Sequence, residues 1–128
     1  MVAERDLPET SPDYSELVVE HFHRPRNVGD LAEGAGVRRT HAGNRATGAE
    51  VSFSVRIAGN AVVEVRFQAF GCPHFLAAAS LVTERLKGLP VAALGQWTAG
   101  AIGRELAVPV EKRGRLLILE DAVRAATQ

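Results

Sequence analysis

This chain of 128 residues lacks cysteine almost entirely: Cys72 is the only one. One thiol excludes an internal disulfide framework. Net charge is missing as well, since fifteen basic residues face fifteen acidic ones, and such a balance excludes a general binder of nucleic acid or of anionic membranes. No apolar stretch is long and uninterrupted enough to span a bilayer. The opening Met1-Val2-Ala3-Glu4-Arg5-Asp6 is charged and has no signal-peptide core, which gives the expectation of a cytoplasmic protein. Internal repeats and low-complexity segments are absent too. What is present is 46% hydrophobic and 23% charged residues, enough for one compact domain with a core. Residues 1–10 read as a polar tail and 11–128 as a single domain.

The pattern predicts an α+β protein. Ser11 and Pro12 suit an N-cap and first helical residue, with Asp13 and Glu16 in the first turn. Leu17, Val18, His21 and Phe22 then share a helical face. Pro25 stops the helix by Arg24. A loop through Pro25-Arg26-Asn27-Val28-Gly29-Asp30, Gly34 and Gly36 precedes a short strand near Val37 to Thr40 and a loop from Ala42 to Gly48. From Val51 the alternation is clean, with Val51, Phe53, Val55 and Ile57 on one face and Ser52, Ser54 and Arg56 on the other. Gly59-Asn60 signals a two-residue hairpin. The next strand places Val63, Val65, Phe67 and Ala69 inward and Glu64, Arg66 and Gln68 outward. A helix follows Cys72, burying Phe75, Ala78, Ala79, Val82 and Leu86 and ending at Gly88. Short helices near Val91 to Gly95 and Thr98 to Leu106 lead to a last helix from Arg115 to Ala126, with Leu116, Leu119, Val123 and Ala126 inward. The expected fold is a three-stranded antiparallel sheet with helices packed on one face.

Cys72 stands where the second long strand meets its helix. A thiol there feels unpaired backbone N–H groups and the positive end of the helix dipole, both of which favour thiolate. Pro73 suits the first helical position, and Gly71 lets the chain turn sharply. The same place also suits a small buried apolar residue.

Taken together, Tyr14-Ser15-Glu16, His21-Phe22, Pro25-Arg26-Asn27-Val28-Gly29, Phe70-Gly71-Cys72, Ser80-Leu81-Val82-Thr83-Glu84 and Glu120-Asp121-Ala122 resemble the IscU/NifU N-terminal family of iron-sulfur cluster scaffolds. The spacing holds from Tyr14 to Ala126. The resemblance implies a non-enzymatic scaffold that takes sulfur from a cysteine desulfurase and passes a [2Fe-2S] cluster to apo-proteins with chaperone help. It also implies a ligand set of which only Cys72 is kept. The family's Cys-Gly-Asp becomes Thr47-Gly48-Ala49, its His-Cys becomes Gly114-Arg115, and its chaperone-read Leu-Pro-Pro-Val-Lys becomes Val108-Pro109-Val110-Glu111-Lys112.

A [2Fe-2S] cluster requires about four ligands, so one bound here needs coordination from outside the chain. A homo-oligomer of two copies would supply only two thiolates, leaving a small thiol or a partner residue to complete the shell. His74 and His41 are the chain's own candidates, neither at a family ligand position. Arg115 cannot ligate iron, because a guanidinium only donates, yet beside Cys72 it would stabilise a thiolate. Three functions follow: a scaffold with Cys72 as sulfur acceptor or sole retained ligand, a metal-free module binding a desulfurase or chaperone, and an enzyme with Cys72 as nucleophile and His74 as base. The last is disfavoured, since residues two apart on a helix face apart. Arg24, Arg26, Arg38, Arg39 and Arg45 read as a solvated face and Trp97 as a packing anchor.

Overall fold

The computed structural model describes residues 2–3 and 13–127. The expected Ser11-Pro12 helix start lies outside the described residues. The first helix, α1 (Glu16–His23), is instead capped by Ser15, whose Oγ accepts from the Val18 N–H at 3.3 Å and donates to the Leu106 carbonyl at 2.7 Å. Asp13 therefore precedes the helix rather than opening it. Arg24 closes it just before Pro25, as proline sterics require.

The sheet consists of β1 (Val2–Ala3), β2 (Val37–Asn44), β3 (Ala49–Ala58) and β4 (Ala61–Gly71) in the order β1-β4-β3-β2. The expected three antiparallel strands are β2, β3 and β4. The two-residue β1 adds a parallel pair at Phe70 and Gly71, so the first residues are not all outside the fold. Strand β2 runs four residues past Thr40, because register pairing from Val37 with Arg56 to Asn44 with Ala49 carries it through Ala42-Gly43-Asn44. A 3₁₀ turn, Arg45–Thr47, then closes the hairpin. Asn44 Oδ1 accepts from the Thr47 N–H at 2.9 Å, and Gly48 ends the turn at φ +92°.

Gly59 and Asn60 both have positive φ, 58° and 66°, the signature of the tight hairpin turn expected there. Beyond it lies an irregularity that the alternation did not reveal. Ile57 pairs with Val62 while Arg56 pairs with Glu64, so Val63 is an extra residue in β4. The bulge resets the side-chain alternation, which buries Val62 and leaves Val63 half-exposed.

Helix α2 (Pro73–Leu86) lies over β4 and is covered in turn by α1. Sheet on one side and helices on the other bury every residue of α2 except Glu84 and Arg85, not one stripe alone. Its run Ala77-Ala78-Ala79 lets these neighbours approach closely. The chain continues through α3 (Val91–Leu94), α4 (Gly100–Glu105) and a 3₁₀ stretch, Val110–Arg115, to α5 (Leu116–Ala125), which packs on β2 and β3. Leu116, Leu119, Val123 and Ala126 are all buried, as the sequence pattern requires.

The opposite face of the sheet is less open than its polar residues suggest. Asn27 and Gly29 exchange backbone hydrogen bonds with Phe67 at the edge of β4, and Leu31 N–H then reaches Ser54 Oγ at 3.0 Å. Ser54 is consequently buried.

Candidate functional site

Cys72 is the N-cap residue of α2, with φ −74° and ψ 166°, and Pro73 fills the first helical position. Local sequence makes this junction: proline supplies a helical φ, and Gly71 leaves room for the Phe75 ring, which folds back over it. The thiol is free and half-buried. It opens on a cavity of about 240 Å³ lined by Cys72, Glu111, Lys112 and Arg115. Three segments distant in sequence thus approach one another: the end of β4, the 3₁₀ stretch before α5, and the 45–48 turn, to which Arg115 Nη1 donates at the Gly48 carbonyl, 3.3 Å away. Arg115, whose approach to Cys72 the sequence left open, shares the cavity wall with it and hydrogen-bonds to Gly48.

Neither histidine joins Cys72. His74 is 3% exposed, its ring centroid 4.6 Å from that of Tyr14, and its Nδ1 is buried without a hydrogen-bond partner. Burial holds its pKa below the usual imidazole value, and the Lys112 charge adds to this. His41 lies on strand β2 rather than in a loop, paired across to Ser52 on the sheet face away from the helices, with Nε2 3.0 Å from Glu50 Oε2. Among the described residues no group of three or more His, Cys, Asp and Glu side chains could hold a metal ion. At the other positions implied by the resemblance, Thr47 donates its hydroxyl to Asn44 O at 3.0 Å, Ala49, in place of the assisting aspartate, is fully buried, and Gly114 and Arg115 bring no metal-binding atom. The donor chemistry of this site does not fit an iron-sulfur cluster held by the chain alone.

Sequence reasoning passed over Glu111 and Lys112 as cavity walls. Lys112 and Arg115, three residues apart in a 3₁₀ stretch, share one side of it, and that spacing was the available signal for the pair; Glu111 carried none.

The polar residues of the motifs form a second constellation with a structural role. His21 Nδ1 lies 2.7 Å from Ser80 Oγ, and the Arg26 N–H donates to the same oxygen at 2.9 Å. His21 Nε2 is 3.4 Å from Glu84 Oε1. A neutral imidazole protonated on Nε2 satisfies all three contacts, with Ser80 donating to Nδ1 and Nε2–H donating to Glu84. Asn27 Nδ2 donates to Thr83 Oγ1 at 2.9 Å. His21 and Ser80 are buried, so this serine-histidine-glutamate arrangement has no access for substrate. The arginines are engaged as well: Arg26 with Glu20, Arg38 with the Ala126 carbonyl, Arg39 with Asp30, and Arg45 with Glu50 and the Phe70 ring.

A sheet covered by helices, with one thiol at a strand-to-helix junction, defines the class to which the comparisons then give a family. Residues 13–128 match the NifU-like N terminal domain, and the chain belongs to that family. It is 33% identical over 115 residues to the iron-sulfur cluster assembly scaffold protein IscU of Haemophilus influenzae, covering 88% of this chain and 91% of that one. It is 34% identical over 119 residues to the iron-sulfur cluster assembly enzyme IscU of Drosophila melanogaster, covering 88% and 75%. The crystal structure of FiSufU from Fervidobacterium islandicum AW-1 superposes with a TM-score of 0.70 at 18% identity, covering 90% of this chain and 96% of that one. At that identity the superposition speaks to fold alone.

Proposed function

We propose that this chain serves iron-sulfur cluster assembly as a scaffold-fold protein that carries sulfur on Cys72. The observation that carries the reading is the cavity at Cys72, in which a half-exposed thiol faces two cationic side chains, Lys112 and Arg115, and one acidic one, Glu111. A persulfide is an anion at neutral pH, and such a pocket suits it. In the transfer step, the Cys72 thiol gives its proton to solvent and its sulfur attacks the terminal sulfur of a donor persulfide. One S–S bond forms on Cys72, the donor's S–S bond breaks, and the donor leaves as thiolate, so no outside oxidant enters.

The donor on this reading is a cysteine desulfurase, and the recipients are apo-proteins served with or without a chaperone. The chain acts as a stoichiometric carrier rather than as a catalyst. A [2Fe-2S] cluster forms on it only when a second copy, a small thiol or a partner supplies the remaining ligands. An unpaired thiol as the working group suits the reducing cytoplasm.

The test is to load air-free protein with a low-molecular-weight persulfide, desalt it, and release sulfane sulfur with cyanide. One equivalent is expected on the parent chain and none above background on Cys72→Ser. Equal loading of the two removes the sulfur reading and leaves the fold as a metal-free module for binding a desulfurase or chaperone.

A further inference from the structure

The bond between Arg115 and Gly48 joins residues 67 apart in the chain, at 3.3 Å from Nη1 to the carbonyl oxygen. Its contact is wider than one hydrogen bond. A Cβ built on Gly48 would lie 3.1 Å from Nη2, 3.3 Å from Nη1 and 3.4 Å from Cζ, so the guanidinium packs directly against the bare glycine. Gly48 also holds φ +92°, a conformation glycine adopts without strain. Turn and cation therefore fit each other. The same guanidinium lines the Cys72 cavity with Lys112.

We propose that Arg115 is a built-in substitute for a metal ion: an organic cation that ties the 45–48 turn to the start of α5 and keeps divalent metal out of the Cys72 cavity. A metal centre between three segments joins them through ligand bonds. Here hydrogen bonding and packing make the junction, and a permanently charged guanidinium offers no lone pair to a metal. With Lys112 beside it, two cations outweigh the single carboxylate of Glu111 on the cavity wall, a balance that disfavours a metal cation and suits an anionic sulfur species. The inference deepens the sulfur-carrier reading, on which the role of Cys72 rests; the clamp itself stands on the Arg115 geometry.

Zinc ion is the probe. The parent chain and a Thr47→Cys/Arg115→Cys double variant are each incubated with zinc under reducing conditions, desalted and assayed for metal, with circular dichroism to establish folding. The parent is expected to retain no stoichiometric zinc, and its melting temperature to be the same with zinc and with chelator. The double variant, which exchanges the guanidinium on the cavity wall for a thiol and adds a second thiol in the turn that the guanidinium ties, is expected to retain one zinc per chain and to melt higher with zinc than without. Stoichiometric zinc on the parent, or none on a folded double variant, overturns the clamp. If the double variant does not fold, hydrogen exchange in Arg115→Ala decides: amides of 45–49 are expected to exchange several-fold faster than in the parent, and unchanged rates overturn the proposal. Failure here is distinct from failure of the sulfur reading, which shows as equal sulfane sulfur on the parent and Cys72→Ser.

Discussion

Gly71 sets how closely the chain at Cys72 can stand against the helix that follows it. A Cβ at this position would lie 2.8 Å from Phe75 Cδ2 and 3.2 Å from Phe75 Cβ. Phe75 is 1% exposed, held among the core residues of sheet and helices, so its ring has no free direction in which to yield. The need here is for space, since Gly71 is not among the residues with positive φ. Gly71→Ala is expected to destabilise the fold by about 1–3 kcal/mol, the usual cost of overpacking. Urea unfolding measures it, as a lower midpoint at unchanged slope; a midpoint equal to that of the parent would show that the ring relocates without strain.

Helices α1 and α2 are joined by polar chemistry as much as by apolar packing, and Ser80 is where the links meet. Its hydroxyl bridges His21 Nδ1 and the Arg26 N–H, connecting α1, the following loop and α2. Ser80→Ala leaves both partners buried or half-buried without that oxygen, and each unsatisfied group costs on the order of 1–3 kcal/mol. Denaturant titration should show a loss of about 2–4 kcal/mol by the same principle, with faster amide exchange in 25–29, where the loop meets β4. A loss below about 0.5 kcal/mol would mean that water replaces the hydroxyl. Elements of this kind were legible in the sequence where one physical signal dominated. Alternation marked β3, Gly59-Asn60 marked its turn, and Pro73 with Gly88 bracketed α2. The extension of β2 through Ala42-Gly43-Asn44 was hidden, because those residues have little strand preference and cross-strand pairing with β3 holds them. The extra residue at Val63 was hidden for a related reason: a bulge belongs to two strands and cannot be read from one. The helix cap was misread at Ser11, since Ser15 offers the same chemistry and its bond to Leu106 O is a long-range fact.

Across the whole molecule, local patterning located Cys72 at its junction but could not bring Lys112 and Arg115 to it, since that convergence depends on where α5 packs on β2 and β3. Family spacing supplied the missing geometry for Arg115 and said nothing of its bond to Gly48. The assembled fold also creates a property no segment has alone, a response to acid carried by two buried imidazoles. His21 is 2% exposed and His74 3%. Burial lowers the pKa of each; Arg26 lowers that of His21 further against the opposing pull of Glu84, and Lys112 lowers that of His74. In the unfolded chain both titrate near the ordinary imidazole value of about 6.5. Below that value the unfolded chain binds more protons than the folded one, so the stability present above about pH 6.5 is lost as pH falls toward the folded values. Glu20, lowered chiefly by its hydrogen bond with Arg24, and Glu50, lowered chiefly by that with His41, act in a separate and more acidic window, below their ordinary value near 4.5. Urea midpoints are therefore expected to be level from about pH 8 to 7 and to decline from about pH 6.5 to 5, before carboxylate protonation adds to the loss. His74→Phe keeps an aromatic ring against Tyr14 and removes one of the two titrating groups, so its decline over that interval should be shallower. Midpoints that stay level down to about pH 5 in the parent would mean that these imidazoles titrate alike in both states, and the same decline in His74→Phe would mean that His74 carries none of it.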